Sequence, residues 1–312
     1  MLTRPKVDLS KRPLISVVIP TYNHAHYLGR ALESVKQQTY AYWEVIIVDN
    51  HSQDNTDQVV REFNDPRFHL LKIHNAGVIA ASRNKGVRAA KGEWIAFLDS
   101  DDWWTPDKLA ISVRATGGNL DVIYHDLKVV KQLNQKIHLR RVRSRVLSGN
   151  AYDDLLSNGP AMPNSSVVVR RESLIEVGGI SEDKDKIAWE DFDTWISLAK
   201  AGCQFRRVRG SHGYYWFGGG NVTNANRTLA TVSSFIRHHI DQSTQLTKNN
   251  IPWWCHYTLA LTHQQLGDLK QSRDHFVKAW KLVPSTSNRL LILYKWFIMS
   301  VSRARSILNK KS

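Results

Sequence analysis

Four short apolar runs in the first hundred residues limit what this chain can fold into. They are Leu14 to Ile19, Trp43 to Val48, Phe68 to Ile73 and Trp94 to Leu98. Each is strand-length and nearly all apolar, as strands buried on both faces of a sheet are. Between them lie stretches with helical spacing of apolar residues, roughly 27–38, 56–63 and 80–89. This alternation predicts an α/β fold with a Rossmann-like, mostly parallel sheet and helices on both faces.

Polar segments follow three of these strands where each strand ends. They are Pro20 to Asn23, Asp49 to Ser52 and Asp99 to Asp101, and Asp102 follows the last of them. Since ligands of such sheets bind at the carboxyl ends of the strands, we expect the three segments to converge. The aspartates of the last segment would repel one another, and Mg²⁺ or Mn²⁺ beside phosphate oxygens would relieve that repulsion. The alternative is an acidic turn in which Asp101 or Asp102 caps a helix beginning near Pro106.

A second group of carboxylates opens a helix that the pattern predicts from Trp189 to Gly202. Glu190, Asp191 and Asp193 fall in its first turn. Acids at this position complement the helix dipole, which accounts readily for Asp193. This explanation is weaker for Glu190 and Asp191, two adjacent acids that follow a tryptophan.

The chain beyond residue 221 has a helical pattern. Two helices are expected, at 254–266 and 268–282. The Gly267 turn and the spacing of Phe276, Ala279 and Pro284 fit either one tetratricopeptide-type hairpin or a plain helical cap.

Charge and composition narrow the functional classes. The formal net charge is +15 and the pI is near 9.8, which favours phosphorylated substrates, anionic lipid or nucleic acid as partners. Cys203 and Cys255 form no CxxC motif, which favours a reducing compartment. The sequence has no GxGxxG or GxxxxGK[ST] motif. We see no signal peptide and no run approaching the ~20 apolar residues of a membrane span, so a cytoplasmic location is expected.

Five motifs, taken in order, resemble the inverting, nucleotide-sugar-dependent glycosyltransferases of family 2, which have the GT-A fold. They are Ser16–Asn23, Val48–Thr56, Gly77–Gly86, Ala90–Asp102 and Trp189–Trp195. The resemblance covers roughly residues 14–222. It implies a flexible lead-in (1–13), a GT-A domain (14–245) and a small C-terminal helical region (246–312). Within that domain, residues 14–125 would bind the nucleotide sugar and 126–245 the acceptor.

The resemblance also implies roles for individual residues. Asp99-Ser100-Asp101 is similar to the family's DxD motif, with Asp101 as a direct metal ligand and Asp99 at the metal or the ribose. Asp191 would be the catalytic base, with Glu190 beside it. The remaining nucleotide-sugar contacts would come from Pro20, Tyr22, Asn23, Asp49, Asn50, Arg83 and Ser100. The implied cofactor is Mn²⁺ or Mg²⁺.

Two departures from the family pattern affect these expectations. Asn50 stands where many relatives have aspartate. An amide carbonyl still accepts the N3–H of uracil or thymine, so UDP and dTDP both stay open and GDP is disfavoured, with a UDP-sugar as the expected donor. Relatives carry a Tyr-Arg-x-His motif where this chain has Tyr215 to Gly218. His212 is a candidate substitute metal ligand, with a loop histidine of no ligand role as the alternative.

The expected partners are a nucleotide sugar and a glycan acceptor, with a lipid-linked polysaccharide intermediate as the form the resemblance favours. Peripheral contact with the inner membrane face would come from 290–301, flanked by basic residues and aided by the cluster from Arg140 to Arg145. The alternative is that the helix formed by 290–301 packs on the catalytic domain. A nucleic-acid-binding protein is the competing class, but strand-end carboxylates would repel a phosphate backbone. A catalytically inactive scaffold is the third interpretation.

Overall fold

The computed structural model describes residues 12–132, 134–218, 224–240, 251–286, 288–290, 292–294 and 296. The chain divides into two compact units. The first contains Met1–Tyr152 and Pro160–Asn221, and the second contains Asp153–Gly159 and Val222–Ser312.

The first half of the first unit alternates strands and helices, as the apolar runs predict. Its strands are β1 (Ile15–Thr21), β2 (Trp43–Asp49), β3 (Phe68–Lys72) and β4 (Trp94–Phe97). Its helices are α1 (Ala25–Lys36), α2 (Thr56–Glu62) and α3 (Ile79–Ala89). The strands lie in the order β3-β2-β1-β4 and are parallel. Their carboxyl ends therefore share one edge of the sheet.

The second half of this unit extends the same sheet with mixed strand directions. Its strands are β5 (Trp103–Trp104), β6 (Val122–Val130), β7 (Arg141–Val142), β8 (Val168–Arg170) and β9 (Phe205–Trp216). Its helices are α4 (Lys108–Arg114), α6 (Arg171–Glu176) and α7 (Glu190–Lys200), while α5 (Ala151–Asn158) begins in this unit and lies mostly in the second. The order continues β4-β8-β6-β9-β5, and β8 is antiparallel to both neighbours. The purely parallel pairing thus ends at β4, while β6 and β9 form a separate parallel pair.

Helix α3 packs unusually close to the sheet. Ser82, Arg83, Asn84, Gly86 and Val87 are buried along it. A Cβ at Gly86 would lie 2.5 Å from a methyl carbon of Val18 on β1, so only glycine allows this approach. The close packing brings the polar residues of α3 to the interior of the site described below.

The second unit is helical. It contains α8 (Ala225–Phe235), a π-helical stretch (Ile236–Ile240), α9 (Trp253–Gln265) and α10 (Leu269–Leu282). Gly267, with a φ of 82°, makes the turn between α9 and α10. Their shared core is apolar and contains Ala260, Phe276, Ala279, Val283 and Ile292. No helix of the described residues is long and apolar enough to cross a bilayer. The stretch 290–301 lies largely outside them.

Candidate active site

The three polar segments at the strand ends are linked by hydrogen bonds. The backbone N–H of Asn23 donates to Ser52 Oγ at 2.8 Å, and the N–H of Gln53 donates to Asn23 Oδ1 at 2.7 Å. Asn23 has a φ of 51°, a left-handed conformation that asparagine tolerates. On the other side, the ring of His24 pairs with the hydroxyl of Ser100 at 2.9 Å. The predicted convergence of these segments is therefore present in the structure.

At the end of β2, Asp49 and Asn50 have different environments. The Asp49 carboxylate is completely buried and accepts hydrogen bonds from the Ser52 N–H and from Lys72 Nζ, the latter at 2.7 Å. Its oxygens are thus engaged within the protein. Asn50 is only partly buried, and its carbonyl accepts the N–H of Asn75 at 2.9 Å. The Asp49 side chain therefore holds the loop after β2 in place, whereas the side-chain amide of Asn50 lies at the surface of that loop.

Of the other expected nucleotide-site residues, Pro20 is buried within β1, and Tyr22, which follows the end of that strand, is exposed. Pro20 is aligned with Val48 of β2, where the missing N–H of proline leaves one backbone bond fewer in the sheet. The Tyr22 side chain is 53% exposed at the edge where the strand-end segments meet.

A buried arginine connects the DxD motif to the acidic helix. Arg83 donates to Asp99 Oδ1 at 2.9 Å and to Glu190 Oε1 at 2.7 Å. Burial alone would lower the pKa of Arg83, but the charges of Asp99 and Glu190 raise it, so the arginine stays a cation. The other Glu190 oxygen accepts the N–H of Ala188 at 2.8 Å. Both oxygens of the Glu190 side chain are therefore engaged by hydrogen bonds.

Asp191, next in sequence to Glu190, lacks such compensation. Its carboxylate accepts the N–H of Phe192 at 2.7 Å. Burial and the negative charge of Glu190 raise the pKa of Asp191 to about 7, with Arg83 acting in the opposite direction. A carboxyl with a pKa near neutrality can accept and release a proton under ordinary conditions. A carboxyl with a raised pKa beside a second carboxylate is typical of acid–base sites.

The end of β4 concentrates negative charge. Burial and the charge of Asp99 raise the pKa of Asp101 to about 6. Asp102 is 2% exposed and accepts the N–H of Trp216 at 2.8 Å, so it fixes the end of β9. Hard carboxylate oxygens with poorly compensated charge suit Mg²⁺ or Mn²⁺. The described residues contain no group of three histidine, cysteine or acidic side chains that could hold a metal ion by themselves. Asp99 and Asp101 therefore fit such an ion only if water or phosphate supplies its other ligands.

The structure does not bring His212 to these acids. The ring of His212 lies 3.7 Å from a carboxylate oxygen of Asp107 and 3.0 Å from the carbonyl oxygen of Arg209. It also contacts the ring of His125 edge-on, with centroids 5.3 Å apart. These contacts agree with the alternative of a histidine without a ligand role.

Several residues around the site escaped the sequence analysis. Asn164 donates to Asp99 Oδ1 at 3.2 Å, and Ser165 Oγ accepts the Asp99 N–H at 3.1 Å. Arg30 donates to the Asp101 carbonyl at 2.8 Å and stacks 3.7 Å from the Trp103 ring centroid. Burial and the charge of Asp102, with smaller effects of three further site carboxylates, raise the pKa of Tyr215 to about 12. Only the Tyr215 position had a sequence signal, through the Tyr-Arg-x-His motif that it partly preserves.

Comparison with solved structures identifies the fold. The mannosyltransferase PcManGT from Pyrobaculum calidifontis, solved with GDP-Man and Mn²⁺, aligns with a TM-score of 0.59 over 95% of this chain and 84% of its own, at 19% identity. S. aureus TarS residues 1–349, solved with UDP-GlcNAc, aligns with a TM-score of 0.56 over 84% of this chain and 90% of its own, at 16% identity. The mixed sheet and its helices thus form the GT-A fold, as expected.

Sequence comparisons agree. WfgD of Escherichia coli is 38% identical over 60% of this chain and 70% of its own length. It is named as a β-1,3-glucosyltransferase that uses UDP-Glc and α-D-GlcNAc-diphosphoundecaprenol. TuaG of Bacillus subtilis, assigned to teichuronic acid biosynthesis, is 40% identical over 61% of this chain and 74% of its own. Residues 16–178 match the profile of Glycosyl transferase family 2. This chain belongs to that family and is a glycosyltransferase.

Proposed function

We propose that this protein is a metal-dependent inverting glycosyltransferase that moves a sugar from a nucleotide diphosphate donor to a hydroxyl of a glycan acceptor. One observation carries the proposal: Glu190 and Asp191 are adjacent, yet Arg83 engages the first and leaves the second with a pKa near 7. A single carboxylate base is what an inverting transfer requires. The link from Arg83 to Asp99 sets this base beside the donor motif.

In this mechanism Asp191 accepts the proton of the acceptor hydroxyl as that oxygen attacks C1 of the donor sugar. The C1–O bond to the diphosphate breaks in the same step, so no covalent enzyme intermediate forms. Glu190, already bonded to Arg83 and the Ala188 N–H, positions the turn in which Asp191 lies. General-base assistance of this kind contributes ~10²–10⁴-fold to the rate.

Asp99 and Asp101 are proposed to hold Mn²⁺ or Mg²⁺, which would supply positive charge beside the departing diphosphate. Arg30 would keep Asp101 in place through its bond to the Asp101 carbonyl. The Mn²⁺ in the PcManGT structure supports divalent-metal use in this fold.

A UDP-sugar is the favoured donor. Asn50, rather than the fully engaged Asp49, is proposed to contact the nucleobase, because its carbonyl accepts one hydrogen bond from Asn75 and keeps a second lone pair. The UDP-Glc in the name of WfgD and the UDP-GlcNAc bound to TarS support this choice.

The acceptor is proposed to be a lipid-linked intermediate of a surface polysaccharide, used at the inner face of the cell membrane. The diphosphoundecaprenol-linked acceptor in the name of WfgD supports this assignment. Peripheral membrane contact would follow, since such an acceptor is anchored in the bilayer.

A donor panel tests the proposal. Thermal unfolding would be followed with UDP-, dTDP- and GDP-sugars, each with and without Mn²⁺, and we expect the largest Mn²⁺-dependent stabilisation with a UDP-sugar. Asp191→Asn should then bind this donor normally but lose at least ~100-fold in turnover. Glu190→Gln should lose less. If no nucleotide sugar stabilised the protein, or if Glu190→Gln were the more damaging change, the proposed roles would be wrong.

A further inference from the structure

One segment of the first unit carries a large share of the positive charge. Between Asp126 and Asp153 the sequence has no acidic residue. It has seven cationic ones, Lys128, Lys131, Lys136, Arg140, Arg141, Arg143 and Arg145, against a net charge of +15 for the whole chain. The described residues 127–132 and 134–146 contain the end of β6, a turn and the short strand β7. We call this segment the basic hairpin.

The basic hairpin also exposes large apolar side chains. Ile137 is 71% exposed, Leu139 is 87% exposed and Val146 is 69% exposed. His138, between the first two, packs edge-on against Tyr214 with ring centroids 5.3 Å apart. Since side chains of an extended segment alternate in direction, this contact turns Ile137 and Leu139 away from the protein. Both are therefore held in water by the local structure.

The turn is held in place by hydrogen bonds. The side-chain oxygen of Gln135 accepts the backbone N–H of Lys131 at 2.9 Å. The side-chain nitrogen of Gln135 donates to the Ile137 carbonyl, also at 2.9 Å. The N–H of Val129 also donates to the Arg140 carbonyl at 2.8 Å. The apolar side chains are thus displayed by a folded turn.

The positive charges of the hairpin remain available. Six of them, Lys128, Lys131, Lys136, Arg140, Arg141 and Arg143, form no ion pair with a carboxylate in the described part of the chain. Lys131 lies 5.3 Å from the ring centroid of Phe217, which is itself 52% exposed. The surface therefore combines unpaired cations with exposed aliphatic and aromatic groups.

This surface adjoins the candidate active site. Strands β6 and β9 are parallel, and the hairpin begins at the carboxyl end of β6. At the same end, the N–H of Phe217 donates to the Val130 carbonyl at 2.7 Å. The preceding residue, Trp216, donates its N–H to Asp102 beside the DxD motif. The basic hairpin and the strand-end acids thus meet at one edge of the sheet.

We infer that the basic hairpin docks on an anionic phospholipid surface. Its cations would pair with lipid phosphates, and Ile137 and Leu139 would enter the boundary between headgroups and acyl chains. A nucleic acid would use the cations but not the exposed aliphatic groups, so a lipid surface explains both. The inference deepens the proposed function, because a bilayer at this edge would present a lipid-linked acceptor to the site.

Vesicle sedimentation of the full-length protein tests the inference. Phosphatidylcholine vesicles would be compared with vesicles that also contain phosphatidylglycerol, at low and high salt. We expect binding to the anionic vesicles, weakened by salt. Ile137→Ser/Leu139→Ser should weaken it at least ~10-fold, from the lost burial of two large apolar side chains. Lys136→Gln/Arg140→Gln should weaken it by about fivefold for each cation removed.

Matched controls come from the same unit. Ile175→Ser removes a half-exposed apolar side chain, and Arg61→Gln/Lys91→Gln removes two exposed cations, all outside the basic hairpin. These variants should bind like the wild type. The inference would be overturned if the wild type did not bind anionic vesicles, or if the hairpin variants bound them as well as the wild type. It would also be overturned if only the charge variant lost vesicle binding and RNA displaced the wild type from the vesicles.

A soluble-acceptor assay separates this inference from the proposed function. Ile137→Ser/Leu139→Ser should transfer sugar to a water-soluble glycoside at the wild-type rate, because neither residue touches the site. Its rate on an acceptor embedded in anionic vesicles should fall in step with vesicle binding. If the wild type bound vesicles in this way but transferred sugar from no nucleotide donor, the proposed function would fail while the docking surface would stand.

Discussion

The proposed base predicts a specific pH dependence. With the pKa of Asp191 near 7, only about one tenth of the enzyme would have an ionised base at pH 6, and about nine tenths at pH 8. The value of kcat/KM should therefore fall about tenfold for each pH unit below the pKa, because the protonated carboxyl cannot accept the acceptor's proton. Initial rates of nucleotide release from about pH 5.5 to pH 9 would show this acid limb.

The causes of the raised pKa of Asp191 show which substitution should lower it. Burial acts first and the charge of Glu190 second. Glu190→Gln removes that charge while keeping a carbonyl oxygen for Arg83, so the acid limb should move down by about one pH unit, equivalent to ~1.4 kcal/mol. Asp193→Asn is the matched control, since Asp193 lies in the same first turn but pairs with Lys186 at 2.9 Å. It should leave the limb in place.

Stability supplies an independent check that does not involve turnover. A carboxyl whose pKa is raised by folding is favourable in its protonated form, so that benefit is lost as the pH rises through about 7. Asp191→Asn should therefore unfold at a higher urea concentration than the wild type at pH 8, with little difference near pH 4. A flat rate profile from pH 6 to 8, or a limb that moves with Asp193→Asn but not with Glu190→Gln, would refute the assignment of Asp191 as the base.

Three further predictions follow from individual contacts. Asp101→Asn should abolish Mn²⁺-dependent stabilisation by UDP, because metal and diphosphate share the site; unchanged Mn²⁺ dependence in thermal unfolding would contradict this. Gly86→Ala should destabilise the protein by about 1–3 kcal/mol in urea unfolding, since its Cβ would lie 2.5 Å from a Val18 methyl carbon. Lys108→Met should raise the free energy of unfolding by about 1–3 kcal/mol at pH 7 in urea, because Lys108 Nζ is buried without a hydrogen-bond partner in the described residues. A lower free energy of unfolding would show that the contact of Lys108 with the Trp104 ring, 3.9 Å away, outweighs the cost of desolvation.

Much of the first half of the first unit was predictable because the sequence signals for its strands are local. Apolar runs set β1 to β4 within a residue or two, and parallel pairing requires their carboxyl ends to share an edge. The second half was less accessible. The exposure pattern of β9 is irregular, and β8 is only three residues long, so neither strand shows a clear alternation of buried and exposed side chains. The direction of β8 depends on the neighbours β4 and β6, which no local pattern encodes.

The site divides in the same way. The resemblance named Asp99 and Asp191, but the contacts that give them different environments join residues far apart in sequence. Arg83 and Glu190 are 107 positions apart, and Arg30 and Asp101 are 71 apart. The burial of Asp49 likewise depends on Lys72 of the next strand. The sequence predicts both Asp49 and Asn50 as nucleotide-sugar contacts but does not reveal that their side chains have different partners, Lys72 for Asp49 and the Asn75 N–H for Asn50.

The spacing of Ser82-Arg-Asn-Lys-Gly86 now has a physical explanation. Gly86 lets α3 approach β1 more closely than any side chain would allow. Arg83 lies three residues earlier, which on a helix is the same face, so the same approach carries its guanidinium to the end of β4 and to Asp99. Asn84 bonds both backbone groups of Ile180, tying α3 to the segment that leads to Glu190. Enlarging Gly86 should therefore disturb not only the packing of α3 but also the ion pairs of Arg83 with Asp99 and Glu190, beside the proposed base Asp191.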